Sequence, residues 1–148
     1  MLERFEKFSC AVSEISRYWH KIASEELGKY GLKSSHASYL TTVYRFDGDI
    51  TSPKICELCG RDKSDVSRMM SILEKNGLVK KESVHQNQYA GYWKLTNEGR
   101  KVAEIINQKA TLAVEKAGAG LTEENRKIFY QSLEIITNNL RQISEEGL

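Results

Sequence analysis

The chain has 148 residues, 40% of them hydrophobic and 28% charged, with a formal net charge of +2; that length holds one domain, or one domain with an extension, and suffices to bury a core. It contains no apolar run of about 18 residues, which excludes a membrane-spanning helix, and no membrane partner is expected. The first residues, with Glu3, Arg4, Glu6 and Lys7, lack the apolar segment of a secretory signal, so the expected location is cytoplasmic.

Phe5, Phe8, Val12, Ile15, Trp19 and Ile22 step by 3, 4, 3, 4, 3, a heptad seam on a long first helix that should end near Gly28 or Gly31. A second helix is predicted from Ser34-Ser35, with Ala37, Leu40, Val43 and Tyr44 inward, stopping before Asp47-Gly48-Asp49. Ser52-Pro53 should open a short third helix, with Ser52 as cap and Pro53 in the first turn. Ile55, Cys56, Leu58 and Cys59 fill it and Gly60 ends it.

The fourth helix carries the strongest signal. Val66, Met69, Met70 and Leu73 keep the i, i+3, i+4, i+7 spacing of a buried stripe. Ser64, Arg68, Ser71 and Lys75 recur at steps of four, three and four on the other side, with Ser67 and Lys63 beside them. A helix that lies in a DNA groove needs short donors and acceptors for base edges and cations for phosphates, and this outer face offers both. Asp62 should cap its start, with Asp65 as part of a capping box, and Gly77 should supply the left-handed residue that ends it. Between Lys54 and Lys81 seven basic residues stand against four acidic ones, whereas acids outnumber bases from Thr122 to Leu148. The cationic part of the chain is its middle.

Leu78 to Val84 and Tyr89 to Leu95 then read as two strands, the second alternating Tyr89, Gly91, Trp93, Leu95 with Ala90, Tyr92, Lys94. Thr96 should cap a fifth helix with Val102, Ile105, Ile106 and Leu112 as its apolar positions, weakening at Ala117 to Gly120. Thr122, followed by Glu123 and Glu124, starts a sixth, striped by Ile128, Phe129, Ile135, Ile136, Leu140 and Ile143. The expected fold is mainly α with a small β-hairpin wing. A winged helix-turn-helix lobe at about 34–96 is combined with a helical dimerisation lobe at about 1–30 and 97–148. Together they make one domain over 1–148, whose first, fifth and sixth helices have more apolar surface than one small winged domain covers and so point to a homodimer.

In this order and spacing the chain resembles the MarR family of bacterial transcriptional regulators over nearly its whole length. The residues that carry the resemblance are Ile55-Cys56-Glu57-Leu58-Cys59, Lys63-Ser64-Asp65-Val66-Ser67-Arg68, Leu73-Glu74-Lys75-Asn76-Gly77-Leu78-Val79, Leu95-Thr96-Asn97-Glu98-Gly99 and Leu121-Thr122-Glu123-Glu124. The resemblance implies a homodimer that binds a palindromic operator in double-stranded DNA, acting as a repressor released by a small aromatic or phenolic effector or by an oxidant. Wings of the family usually carry Asp-Arg about eight residues before Leu-Thr, where this chain has Asn87, Gln88 and Tyr89. Asn87 and Gln88 still offer hydrogen bonds to phosphate or A·T edges, but no charge. The expected DNA-binding residues are therefore Lys63, Ser64, Ser67, Arg68, Ser71, Lys75, Lys81, Asn87 and Gln88. A rival reading is a winged-helix protein-interaction module whose altered wing has weakened DNA binding.

Arg17 lies near the place where salicylate-binding relatives hold an arginine, and a fixed guanidinium suits an aryl carboxylate. With His20, Ser34 and His36 it makes up the expected effector pocket, against the plainer reading of a solvated arginine and ordinary polar histidines. Cys56 and Cys59 have the spacing of a metal pair but no second pair, and replace apolar core positions, so no metal is expected. Cys10 falls where a peroxide-sensing branch of the family keeps its reactive cysteine, but Ser34 stands where that branch has a tyrosine. No nucleophile elbow, phosphate loop or paired-carboxylate context is present, so neither catalysis nor a cofactor is expected.

Overall fold

The computed structural model describes residues 2–46, 49–83 and 91–148. Among these the elements run α1 (Leu2–Gly28), α2 (Ser34–Arg45), α3 (Ser52–Cys59), α4 (Lys63–Lys75), β1 (Val79–Ser83), β2 (Gly91–Leu95), α5 (Asn97–Ala117) and α6 (Glu123–Glu146). This is the expected order of four helices, a hairpin and two helices.

Local chemistry explains most of the boundaries. Asp62 caps α4 by accepting the Asp65 N–H at 2.8 Å. Thr96 caps α5 by accepting the Gly99 N–H at 2.9 Å, and Thr122 caps α6 by accepting the Asn125 N–H at 3.1 Å. Each satisfies a backbone donor that the first helical turn leaves open. Gly77, at φ 72°, turns the chain out of α4 so that the Leu78 N–H reaches back to the Leu73 carbonyl at 3.0 Å.

The third helix departs from expectation in two ways. Its cap is Thr51, whose hydroxyl accepts the Lys54 N–H, and not Ser52. Ser52 is used elsewhere, since its oxygen accepts the indole N–H of Trp93 at 2.9 Å. Leu58, expected to fill the core, is 43% exposed. At about 100° per residue Leu58 falls beside Ile55 on the side away from Cys56, and only Ile55 of this helix is fully buried.

The strands pair antiparallel with Val79 opposite Leu95, Lys81 opposite Trp93 and Ser83 opposite Gly91. They are shorter than predicted at the start of β1, because the Leu78 backbone is engaged in closing α4. Val84, Tyr89 and Ala90, the other predicted ends, lie outside the described residues. Ile50 adds an isolated bridge to Trp93, whose N–H donates to the Ile50 carbonyl at 2.8 Å. The hairpin is thereby tied by one tryptophan to Ile50, before α3, and to Ser52, the first residue of α3.

Leu40, Val43, Ile50, Ile55, Val66, Met70 and Leu73 form the centre of the core with Leu78, Val79, Trp93, Val102 and Ala103. A Cβ at Gly99 would stand 1.8 Å from the Leu78 carbonyl oxygen, so only glycine lets α5 start against the hairpin. Two compact units are present, Met1–Ala110 and Thr111–Leu148. The whole core belongs to the first, while α6 in the second has no buried residue. No helix among the described residues is long and apolar enough to cross a membrane.

Candidate nucleic-acid interface

α4 is built as a two-sided element. Val66, Met70 and Leu73 are fully buried and Met69 packs at the margin, which fixes the helix by its inner face. Ser64, Ser67, Arg68, Ser71 and Lys75, with Lys63 at the start, are exposed on the outside. The short hydroxyls leave the helix backbone approachable, and the cations stand at its two ends and its middle.

One contact on this face goes beyond the sequence reading. Arg68 Nη2 donates to Asp65 Oδ1, an ion pair between residues three apart. The signal is present in the sequence as opposite charges at i, i+3 on one helix, but Asp65 reads there first as a capping residue. Its N–H does serve the cap, and its carboxylate serves Arg68.

At the root of the wing the two sides of β1 differ. Lys81 Nζ lies 5.5 Å from the centre of the Trp93 ring, a cation–π approach. On the other side Glu82 bonds Lys94 at 3.0 Å and Lys80 at 3.4 Å, and Lys94 also reaches Asp49 at 3.5 Å. Hydrogen bonding from Lys94, reinforced by Lys80, holds the Glu82 carboxyl below its ordinary range. Glu82 and Asp49 in turn raise the Lys94 ammonium. Asn87 and Gln88, the expected wing contacts, lie outside the described residues.

The expected effector residues fall into two pairs. Arg17 and His20 are exposed on α1. Arg17 Nη2 stands 3.9 Å from Glu14 and 3.3 Å from the Tyr18 hydroxyl, and His20 Nδ1 is 2.6 Å from the Ser16 carbonyl. Ser34 and His36 share the first turn of α2. His36 is buried, and its Nδ1 accepts the Lys33 N–H at 2.9 Å, closing that turn much as a capping box does. Burial pushes the His36 imidazole pKa down, and the Lys33 charge adds to this. One ring nitrogen of His36 is thus committed to the fold.

Cys10 is exposed, while Cys56 and Cys59 are half-buried against the core, Cys59 Sγ lying 3.6 Å from the Thr42 hydroxyl. Among the described residues no group of three His, Cys, Asp or Glu is placed to hold a metal ion.

Residues 30–86, which contain α2 to β1, match the MarR family model. A MarR transcriptional regulator from Methanosarcina mazei superposes with a TM-score of 0.76 at 25% identity, covering 93% of this chain and 92% of that one. Over residues 30–86 the chain is similar to the MarR family. The HTH-type transcriptional regulator PrsX of Escherichia coli is 26% identical over 107 residues, which is 72% of this chain and 64% of PrsX. The chain therefore matches somewhat under two thirds of that relative's length. A MarR-family transcriptional regulator from Listeria monocytogenes, solved in complex with a 26mer DNA, has the same fold, with a TM-score of 0.79 at 22% identity over 93% of each chain. The MarR fold and the two-faced α4 are thus found in the same segment of the chain.

Proposed function

We infer that this chain is a MarR-family DNA-binding transcriptional regulator that acts in the cytoplasm as a homodimeric repressor on a palindromic operator. The observation that carries the reading is α4: Val66, Met70 and Leu73 are fully buried, and what remains outside is Ser64, Ser67, Arg68, Ser71 and Lys75. A helix inserted in the major groove, with its base-reading side chains outward and a hairpin directed to the adjacent groove or phosphates, uses such a face. Lys63, Lys75 and Lys81 would supply phosphate contacts, and Asn87 and Gln88 would add uncharged wing contacts.

Dimerisation through α1, α5 and α6 is proposed from their apolar residues. Phe5, Ile15, Trp19, Ile128, Ile135 and Leu140 are all exposed in the single chain, and a second copy of the same helices is the simplest cover for them. This assigns about 1–30 and 97–148 to dimerisation and about 34–96 to the winged lobe. Arg17, with His20 and Ser34, is proposed to receive a small aromatic or phenolic anion, Arg17 pairing with its charge. His36 would support that site from behind through the Lys33 turn. The interaction-module reading is not favoured, since the polar outer face of α4 is intact and a relative of the same fold is solved on DNA.

The test is a gel shift against the DNA upstream of the chain's own gene, repeated over a series of salt concentrations. A specific complex whose affinity falls steeply with salt is the expected result. No complex at micromolar protein and low salt would refute the reading.

A further inference from the structure

We propose that Asp65 sets the DNA specificity of α4 by holding the Arg68 guanidinium toward a guanine base edge and away from phosphate. The proposal rests on the DNA-binding reading above and assigns a division of labour within it.

Asp65 is the third residue of α4, and its backbone is pinned by the bond from its N–H to Asp62 Oδ1 at 2.8 Å. Its side chain is 30% exposed, against 65% for Arg68, so the acid is the fixed partner and the arginine the held one. An exposed pair of this kind adds little to stability. It does change what the arginine can do. A guanidinium has five N–H donors in a rigid planar fork. The Asp65 oxygen occupies one Nη2 donor and leaves two parallel donors on another edge, the number that guanine O6 and N7 accept.

Charge acts in the same direction. A bare arginine is drawn to phosphate, and each cation placed there releases counterions and binds any sequence. The Asp65–Arg68 pair is neutral as a unit, and its carboxylate repels phosphate as its guanidinium attracts it. A base edge carries acceptors without net charge, so the pair keeps its attraction for guanine and loses most of it for the backbone. Lys63 and Lys75 at the two ends of the same face carry no such acid three residues away on the outer side and remain suited to phosphates. Ser64, Ser67 and Ser71 are short enough to let the held guanidinium reach the groove floor.

The experiment selects duplexes from a randomised library with the parent, Asp65→Asn, Asp65→Glu and Arg68→Ala. Each protein is then titrated with salt on an unselected duplex. The parent should select one G·C pair per half-site that both Arg68→Ala and Asp65→Asn lose, with discrimination there falling about tenfold or more. Asp65→Asn should also bind the unselected duplex several-fold tighter, with a salt slope steeper by about one. Asp65→Glu keeps the charge on a longer stem, so its slope should match the parent while its preference at that base pair weakens. Should Asp65→Asn fail to melt cooperatively, the Glu variant decides, and an unchanged base preference overturns the proposal. Asp65→Asn with the parent's preference and slope overturns it also, as does loss of preference at a different base pair from Arg68→Ala. A parent that binds no duplex refutes the DNA-binding reading itself. A parent that binds while both Asp65 variants behave like it refutes only the role of Asp65.

Discussion

α4 and α6 are both amphipathic helices, and they differ in what becomes of the apolar side. In α4 Val66, Met70 and Leu73 are fully buried, so its polar side is what faces outward. In α6, which is nearly twice as long, no residue is buried, and Ile135 remains 62% exposed. The same periodicity therefore marks a completed contact in one helix and an open one in the other. A helix with its apolar side closed is a platform for polar recognition, whereas a helix with it open still needs a protein surface.

The largest effect should come from opening the closed contact. Leu73 is 0% exposed at the centre of the core, and Leu73→Ala should lower stability by about 2–5 kcal/mol through lost burial and the cavity left behind. Urea unfolding of parent and variant measures this directly. A loss of under about 1 kcal/mol would mean that α4 is not anchored as described. The counterpart on α6 is Ile136→Glu. A charge placed in the proposed dimer contact should weaken association by about a hundredfold, or roughly 2.7 kcal/mol, while leaving the winged lobe folded. Sedimentation of the variant should show monomer where the parent shows dimer, with the helical circular-dichroism signal kept. A parent that sediments as monomer at micromolar concentration would sink the dimer proposal.

The polar side of α4 comes next. Arg68→Ala should cost about 1–3 kcal/mol in operator affinity, ten- to a hundredfold, since one good arginine contact to a base is worth that much. Circular dichroism should show the variant folded, because what is removed is an exposed side chain and a weak ion pair.

A smaller effect separates the turn before α2 from the surface around it. The His36 pKa is held below the value of about 6.5 it has in the unfolded chain. The unfolded chain then binds the proton more readily, so stability is full above that value. It falls as pH drops through about 6.5 and levels off once the folded His36 is protonated too. Protonation also removes the lone pair that accepts the Lys33 N–H. Melting temperature from about pH 7.5 to about pH 5 should decline in the parent. His36→Asn should start lower, by about 1–2 kcal/mol for the weakened cap, and decline less. Equal slopes would show that His36 does not carry the effect.

How far the fold is legible in the sequence follows from the range of each interaction. Asp62, Thr96 and Thr122 are readable as caps because a cap joins residues three apart. Ser52 looks like a cap by the same rule, but its oxygen is taken by Trp93, 41 residues away, and nothing near Ser52 announces that. The exposure of Leu58 depends on which side of α3 has neighbours, which the spacing of apolar residues leaves open. The outer face of α4 is legible for the same reason as the caps, since both of its stripes repeat within one helix. The Asp65–Arg68 pair is equally local, but a carboxylate in a first turn has two uses, and its service to the cap masks its service to the arginine. The commitment of His36 to the Lys33 turn is hidden in a similar way, since capping boxes are ordinarily recognised by Glu or Gln at that position.

The smallest expected effect concerns the wing, and it divides helix from hairpin most sharply. Gln88 stands where MarR-family wings usually have arginine, and it brings hydrogen-bonding capacity without charge. An uncharged side chain displaces no counterion, so Gln88→Ala should change operator affinity by less than about threefold and leave the salt slope unaltered. Gln88→Arg should tighten binding and steepen the slope by about one, as one added cation at phosphate or in the minor groove would. Arg68→Ala should do the reverse: a large loss of affinity for the selected operator with little change in slope, because a neutralised pair contributes to base reading more than to charge. A salt titration of the three variants on one operator duplex compares these patterns. If Gln88→Ala abolishes binding while Arg68→Ala binds like the parent, recognition resides in the hairpin, and the polar face of α4 is only solvated surface.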